Sequence, residues 1–128
     1  MVYLKGVNNM AHHLTDFELI LVDDESKDRG GTICDEWKEK HPDRVQVIHQ
    51  KNTGVYIAKR NGIKASNGRF VYVMDNDDLI RPDMISSLYE TITKNNCDVA
   101  IAPLYRITDK GYTIHCNLPF IPDVPYDL

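Results

Sequence analysis

The sequence predicts an α/β domain: a mostly parallel sheet with flanking helices and a C-terminal β-hairpin. Three observations lead there. Short apolar runs of strand length, at Phe17–Val22, Val45–Ile48, Phe70–Met74 and Val99–Ala102, recur along the chain. The segments between them are long enough for helices and carry apolar residues three and four apart. The runs are also nearly continuous rather than alternating, as in strands covered on both faces. Strands and helices in alternation imply βαβ units.

Each element follows in order. Val2, Leu4, Val7, Met10 and Leu14 fall on one side of a helix within residues 1–14. Phe17–Val22 is a strand. Ser26–Thr32 is polar and glycine-bearing, hence a loop, with Thr32 as N-cap of a helix over Ile33–Lys40. Pro42 stops that helix, and Val45–Ile48 is the next strand. Asn52-Thr53-Gly54 is a turn that opens a helix through about Ala65. Gly62 inside it implies close packing or close ligand approach, and Asn67-Gly68 ends it with a left-handed cap. Phe70–Met74 is the third strand. Pro82 opens a helix reaching Lys94, with Met84, Ile85, Leu88 and Ile92 as its apolar stripe. Val99–Ala102 is the fourth strand. Tyr105–Thr108, Asp109-Lys110-Gly111 and Tyr112–His115 read as a hairpin. Pro119, Pro122 and Pro125 keep the tail from extending a helix or a central strand.

Composition bounds the function. A chain of 128 residues, 42% apolar and 27% charged, builds one domain with a real core. Its formal net charge of −4 gives no general attraction to nucleic acid or to anionic membrane. No apolar run approaches the roughly 20 residues that span a bilayer, and Lys5, Asn8 and Asn9 interrupt any N-terminal leader. The 3 cysteines, Cys34, Cys97 and Cys116, form no C-x-x-C pair. They read as reduced thiols, so a cytoplasmic location is expected, with membrane association left to the full-length protein. His12-His13 is no ligand pair, because adjacent side chains on a helix diverge.

The chemistry gathers at strand ends. Asp75-Asn76-Asp77-Asp78 follows one apolar run, and Asp23-Asp24 follows another. Crowded carboxylates repel one another unless a divalent cation or a polar ligand sits among them. The carboxyl ends of strands are also where open parallel sheets bind ligands. If Asp75 and Asp77 lie on an extended strand, they share a face. They would then supply part of the shell of Mg²⁺ or Mn²⁺, and a phosphate-bearing substrate would supply much of the rest. The plain alternative is a solvated acidic turn, with Asp78 at the positive end of a helix dipole. Asp24 could accept hydrogen bonds from a base or a ribose, and Lys59 and Arg60 could offset diphosphate charge.

Taken together, these segments resemble family-2 glycosyltransferases. The resemblance rests on Phe17–Ser26 with Asp28, Val47–Gly54, Ala58–Ile63, Ala65–Phe70 and Val73–Asp78 with Pro82-Asp83-Met84, in that order and spacing. It implies a GT-A, Rossmann-like nucleotide-diphospho-sugar transferase fold. It implies a metal-dependent transfer of sugar from a nucleotide-sugar donor, most often UDP-linked, to a glycan or lipid-linked acceptor. By similarity, Asp24 contacts the nucleobase, Lys59 keeps a charge where an arginine is usual, and Asp75 sits near ribose or sugar. Asp77 ligates Mn²⁺ or Mg²⁺, with Asp75 and Asp78 supporting the shell. On this reading Asp24→Asn weakens uridine binding with little change in fold.

The same resemblance assigns residues 1–128 to the donor-binding half of such an enzyme. The family's usual first strand is not recognisable, and the acceptor side with its general base lies beyond Leu128. Neither Asp123 nor Asp127 has the context of that base. Apolar surface left for other parts would invite self-association. Two rivals stand beside the enzyme. One is a non-catalytic donor-binding fragment. The other is a response-regulator receiver domain with Asp75 as phospho-acceptor, which needs a late lysine that Lys110 supplies poorly.

Overall fold

The computed structural model describes residues 17–109 and 111–116. The expected N-terminal helix, His12-His13 and the proline-bearing tail lie outside them. Strand β1 (Leu19–Asp24) pairs in parallel with β2 (Val45–Gln50), Leu19 opposite Val45 and Asp24 opposite Gln50. Both strands run two residues past their apolar runs, so Asp23, Asp24, His49 and Gln50 all belong to the ladder. Backbone pairing, not side-chain polarity, sets where a strand ends.

Helix α1 (Gly30–Lys40) connects the two strands, and α2 (Val55–Ala65) follows β2. Successive side chains of β1 alternate between faces. Ile20, Val22 and Asp24 therefore share one face, and Asp23 lies on the other. The first face is the core: fully buried Ile20, with Val22 and Ala58, against which Ile48, Ala65 and Val73 pack. Ala58 and Gly62 are the buried residues of α2, four apart on one stripe. Two small side chains let the helix lie close to the sheet. Removing one methylene from the centre of this cluster, in Ile20→Val, is expected to cost about 0.5–1.5 kcal/mol in urea unfolding.

Helix α1 begins three residues earlier than the glycine-rich segment predicts. Arg29 is its N-cap, and Thr32 sits inside the helix. The glycines supply room rather than a turn. A Cβ on Gly30 would stand 3.0 Å from Asp28 Oδ1, and one on Gly31 would stand 2.8 Å from Asp23 Oδ2. Helix α2 ends at Ser66, whose hydroxyl donates to the Ile63 carbonyl at 2.7 Å. Among the described residues the glycine with positive φ is Gly54, at the opposite end of that helix, so Asn67-Gly68 is not the expected left-handed cap.

The sheet is smaller than predicted among the described residues. Phe70–Met74 makes only an isolated bridge at Met74, and Val99–Ala102 is irregular. Both runs have strand-like composition, but a strand also needs a neighbour to complete its ladder. Val73 still packs on the core, whereas Val99 and Ile101 are exposed. Helix α3 (Met84–Lys94) buries Ile92, and its Tyr89 ring meets Phe70 edge-on. Strands β3 (Leu104–Thr108) and β4 (Gly111–Cys116) pair antiparallel, Thr108 opposite Gly111. Cys34 and Cys97 are free thiols.

Candidate functional site

The carboxyl end of the β1–β2 pair carries two separate polar networks, one on each face. Asp24 belongs to the core face. Its Oδ1 accepts the Thr53 N–H at 2.9 Å and the Gln50 Nε2–H at 2.8 Å, and its Oδ2 accepts the Gly54 N–H at 2.9 Å. Gln50 also donates to Thr53 Oγ1 at 2.8 Å and accepts from Asn61 Nδ2 at 2.7 Å. Asp24 thus fastens the β2–α2 turn to the end of β1. These donors, the Thr53 N–H foremost and then Gln50, hold its carboxyl below the usual carboxylate range.

Asp23 faces the other way. Its Oδ1 accepts the Ser26 N–H at 3.0 Å, and its Oδ2 lies 3.0 Å from His49 Nδ1. The other ring nitrogen of His49 is 2.9 Å from Asp35 Oδ1 on α1. Hydrogen bonding from Ser26, then from His49, outweighs burial and lowers the Asp23 pKa. The two aspartates therefore do not crowd one another around a shared ligand. Strand alternation separates them, and each is satisfied by protein donors.

This bonding changes the expectation for Asp24→Asn. An asparagine keeps one acceptor oxygen and turns an NH₂ toward either the Gly54 N–H or the Thr53–Gln50 donors. Two donors then face each other. The expected outcome is a lower melting temperature as well as weaker ligand binding, seen by thermal unfolding in the absence of nucleotide. Because Asp23 and Asp24 both titrate below their unfolded values, their stabilisation is full above roughly pH 4. It is lost as pH falls through the folded values.

The second acidic segment is a turn, not a strand. The Asp78 N–H donates to the Asp75 carbonyl at 3.2 Å, closing an i to i+3 turn through Asn76 and Asp77. Strand alternation therefore does not place Asp75 and Asp77 on a common face. Asp75 is half-exposed and ion-paired with Lys59 at 3.0 Å. Asp77 and Asp78 are exposed. Burial, and secondarily the charge of Asp78, raises the pKa of Tyr72, which places that carboxylate toward the phenol. Asp83 is held low by Arg81, which pairs with it at 2.6 Å.

Helix α2 joins the two halves of the site. Its N-cap Gly54 is bonded to Asp24, and Lys59, five residues on and about 7.5 Å down the axis, reaches Asp75. Arg60 is exposed on the same helix. Among the described residues, no three His, Cys, Asp or Glu side chains converge as a metal cage. The oxygen donors of Asp75, Asp77 and Asp78 suit a hard cation chemically. They would supply only part of its shell, and phosphate or water the rest.

Sequence reasoning did not find the roles of His49, Asp35, Gln50 and Asn61. The signal for the first and third was register: once β1 and β2 are parallel, Asp23 stands beside His49 and Asp24 beside Gln50.

Comparison with known proteins gives the family. Residues 4–124 match the family model described as glycosyl transferase family 2. The glycosyltransferase GlyG of Streptococcus pneumoniae is 39% identical over 90 residues, covering 70% of this chain and 30% of that protein. The uncharacterized glycosyltransferase EpsJ of Bacillus subtilis is 37% identical over 93 residues, 73% of this chain and 27% of its own length. The poly(ribitol-phosphate) beta-N-acetylglucosaminyltransferase TarP of Staphylococcus aureus is 30% identical over 111 residues, 87% of this chain and 34% of that protein. The chain thus spans about a third of the length of these relatives. No solved structure matches it. The family match sets aside the receiver-domain alternative: the chain belongs to glycosyl transferase family 2.

Proposed function

We propose that this chain is the donor-binding part of a glycosyltransferase that moves a sugar from a UDP-sugar to a glycan or lipid-linked acceptor. Family-2 glycosyltransferases generally use nucleotide-sugar donors and a divalent metal. The observation that carries the reading is the span of α2, fastened at one end to Asp24 and linked through Lys59 to Asp75. One rigid element thereby ties the base-binding motif to the acidic motif. The GT-A fold supplies the frame, with further strands completing the sheet.

Asp24 has three protein donors and retains acceptor capacity on Oδ2 for a base N–H. Lys59 balances charge beside the diphosphate. Asp77, with Asp75 and Asp78, would hold Mn²⁺ or Mg²⁺. When bound, such a cation offsets the negative charge that develops on the departing nucleoside diphosphate. The residues of this chain bind and orient the donor; the general base belongs to the acceptor side. The name of a relative, a poly(ribitol-phosphate) beta-N-acetylglucosaminyltransferase, supports a polymeric acceptor. No helix among the described residues is long and apolar enough to cross a membrane. The proposed location is the cytoplasm, with membrane association belonging to the full-length protein. Exposed Val99, Ile101, Leu104 and Ile107 would pack on the rest of the enzyme or on a second copy.

Calorimetry of UDP, ADP and GDP binding, with and without Mn²⁺, tests the reading. UDP binding that strengthens with Mn²⁺ is expected. Equal affinity for all three nucleotides, or none for any, would overturn it.

A further inference from the structure

We infer that His49, held as an imidazolium between Asp23 and Asp35, is a positioning residue that fixes the loop from Glu25 to Arg29 at the donor site. The inference rests on the donor-binding reading for its functional part and on geometry for the rest. Both ring nitrogens are engaged: Nδ1 lies 3.0 Å from Asp23 Oδ2, and Nε2 lies 2.9 Å from Asp35 Oδ1. An ionised carboxylate only accepts hydrogen bonds. A neutral imidazole has one N–H and one lone pair, so it satisfies one of these contacts and sets lone pair against lone pair at the other. Only the doubly protonated ring donates to both.

The contacts join three elements. Asp23 is on β1, His49 on β2 and Asp35 on α1. Asp23 has a side chain 10% exposed, whereas that of Asp35 is 58% exposed. The clamp is therefore inner on one side and outer on the other. Gly31, in the first turn of α1, is so close that a Cβ would stand 2.8 Å from Asp23 Oδ2 and 3.6 Å from His49 Cε1. The loop is bound to the same carboxylate through the Ser26 N–H. Within that loop Glu25 holds φ at 61°, a left-handed conformation uncommon for a residue with a side chain, so the segment is shaped by its anchors. Asp24, the nucleobase candidate, lies between the anchor and this turn.

The titratable groups bonded to the ring are Asp23 from β1 and Asp35 from α1, and the Cys34 thiol of α1 lies within reach of both carboxylate charges. That thiol titrates high because of burial and then the Asp23 charge. The Asp35 and Asp23 bonds raise the His49 pKa. The sign follows. A histidine whose folded pKa exceeds its unfolded value of about 6.5 stabilises fully below that value. The contribution is lost as pH rises through the folded pKa.

Three measurements test this. Nitrogen-15 NMR of the ring should show both nitrogens protonated at pH about 6.5, with a midpoint above that of a free histidine. Thermal unfolding of the parent and of His49→Gln should differ most between roughly pH 4.5 and 6, where the carboxylates are ionised and the ring protonated, and converge as pH rises through that midpoint. Asp35→Asn should lower the midpoint while Asp23 keeps its bond. In the presence of Mn²⁺, His49→Gln should weaken UDP-glucose binding about fivefold below the midpoint and little above it. UDP-glucose is the probe because its diphosphate has no group that titrates in this range. A ring that is neutral at pH about 6.5, or a stability difference that does not vary with pH, would overturn the inference. If the ring titrates as described but UDP-glucose never binds, the clamp stands as a fold element. The donor role of the loop then falls, and the proposed function falls with it only if UDP itself does not bind either.

Discussion

Asp77→Ala is expected to lower Mn²⁺-dependent affinity for UDP by at least about tenfold, with no change in melting temperature. Loss of groups that merely support a metal ligand typically costs 10–100-fold, so loss of a ligating carboxylate should cost no less. The fold should not notice. Asp77 is exposed, in the middle of the turn closed by Asp75 and Asp78, and the turn bond is between backbone groups. Asp75→Ala makes a useful comparison, because it also frees Lys59 from an ion pair. Calorimetry with and without Mn²⁺ separates the two effects. A parent and an Asp77→Ala variant with equal Mn²⁺ response would remove Asp77 from the site.

Gly54→Ala is expected to destabilise the domain by about 1–3 kcal/mol, the range for a backbone held where only glycine is at ease. Gly54 has φ 88° and ψ 157°. That lies outside the left-handed helical region, so Gly54→Asn should not rescue it, although asparagine often tolerates that region. Space is not the difficulty, since an added Cβ would meet nothing within 4 Å. The cost is conformational. It also falls on the site, because the Gly54 N–H bonds Asp24 and its carbonyl accepts the N–H groups of Ile57 and Ala58 at 3.1 Å. Urea unfolding gives the energy. UDP binding by the folded fraction shows whether Asp24 has moved.

Much of this was legible in the residues. Ile20 and Val22 announced a buried strand because burial leaves a direct compositional trace, and Met84, Ile85, Leu88 and Ile92 announced α3 in the same way. Polar strand ends leave no such trace. The apolar window stops at Val22 and Ile48, while the ladder continues to Asp24 and Gln50. Phe70–Met74 shows the converse: apolar composition predicted a strand, yet pairing depends on a neighbour that a local window cannot see. Gly30 and Gly31 read as loop because glycine disfavours helices, but close approach to Asp23 and Asp28 decides their identity.

The acidic residues themselves were visible, since carboxylates crowded directly after apolar runs are unusual. Their partners were not. Which donor meets which carboxylate depends on register and on helix placement, and neither is written in the spacing of one segment. Reading Asp75 and Asp77 as strand neighbours failed for the same reason. The backbone turns at Asn76, and the rule of alternate side chains lapses with it.

The opposed orientation of Asp23 and Asp24 bears on which length changes the chain can absorb. One residue inserted or deleted within Leu19–Val22 would exchange the faces of both carboxylates relative to the core, leaving each opposite the wrong helix. The exposed turn at Pro42-Asp43, at the far end of the strands and ahead of the Arg44 carbonyl that pairs with Leu19, carries no such alternation. Variant libraries and natural indels should therefore spare the first stretch and accumulate in the second.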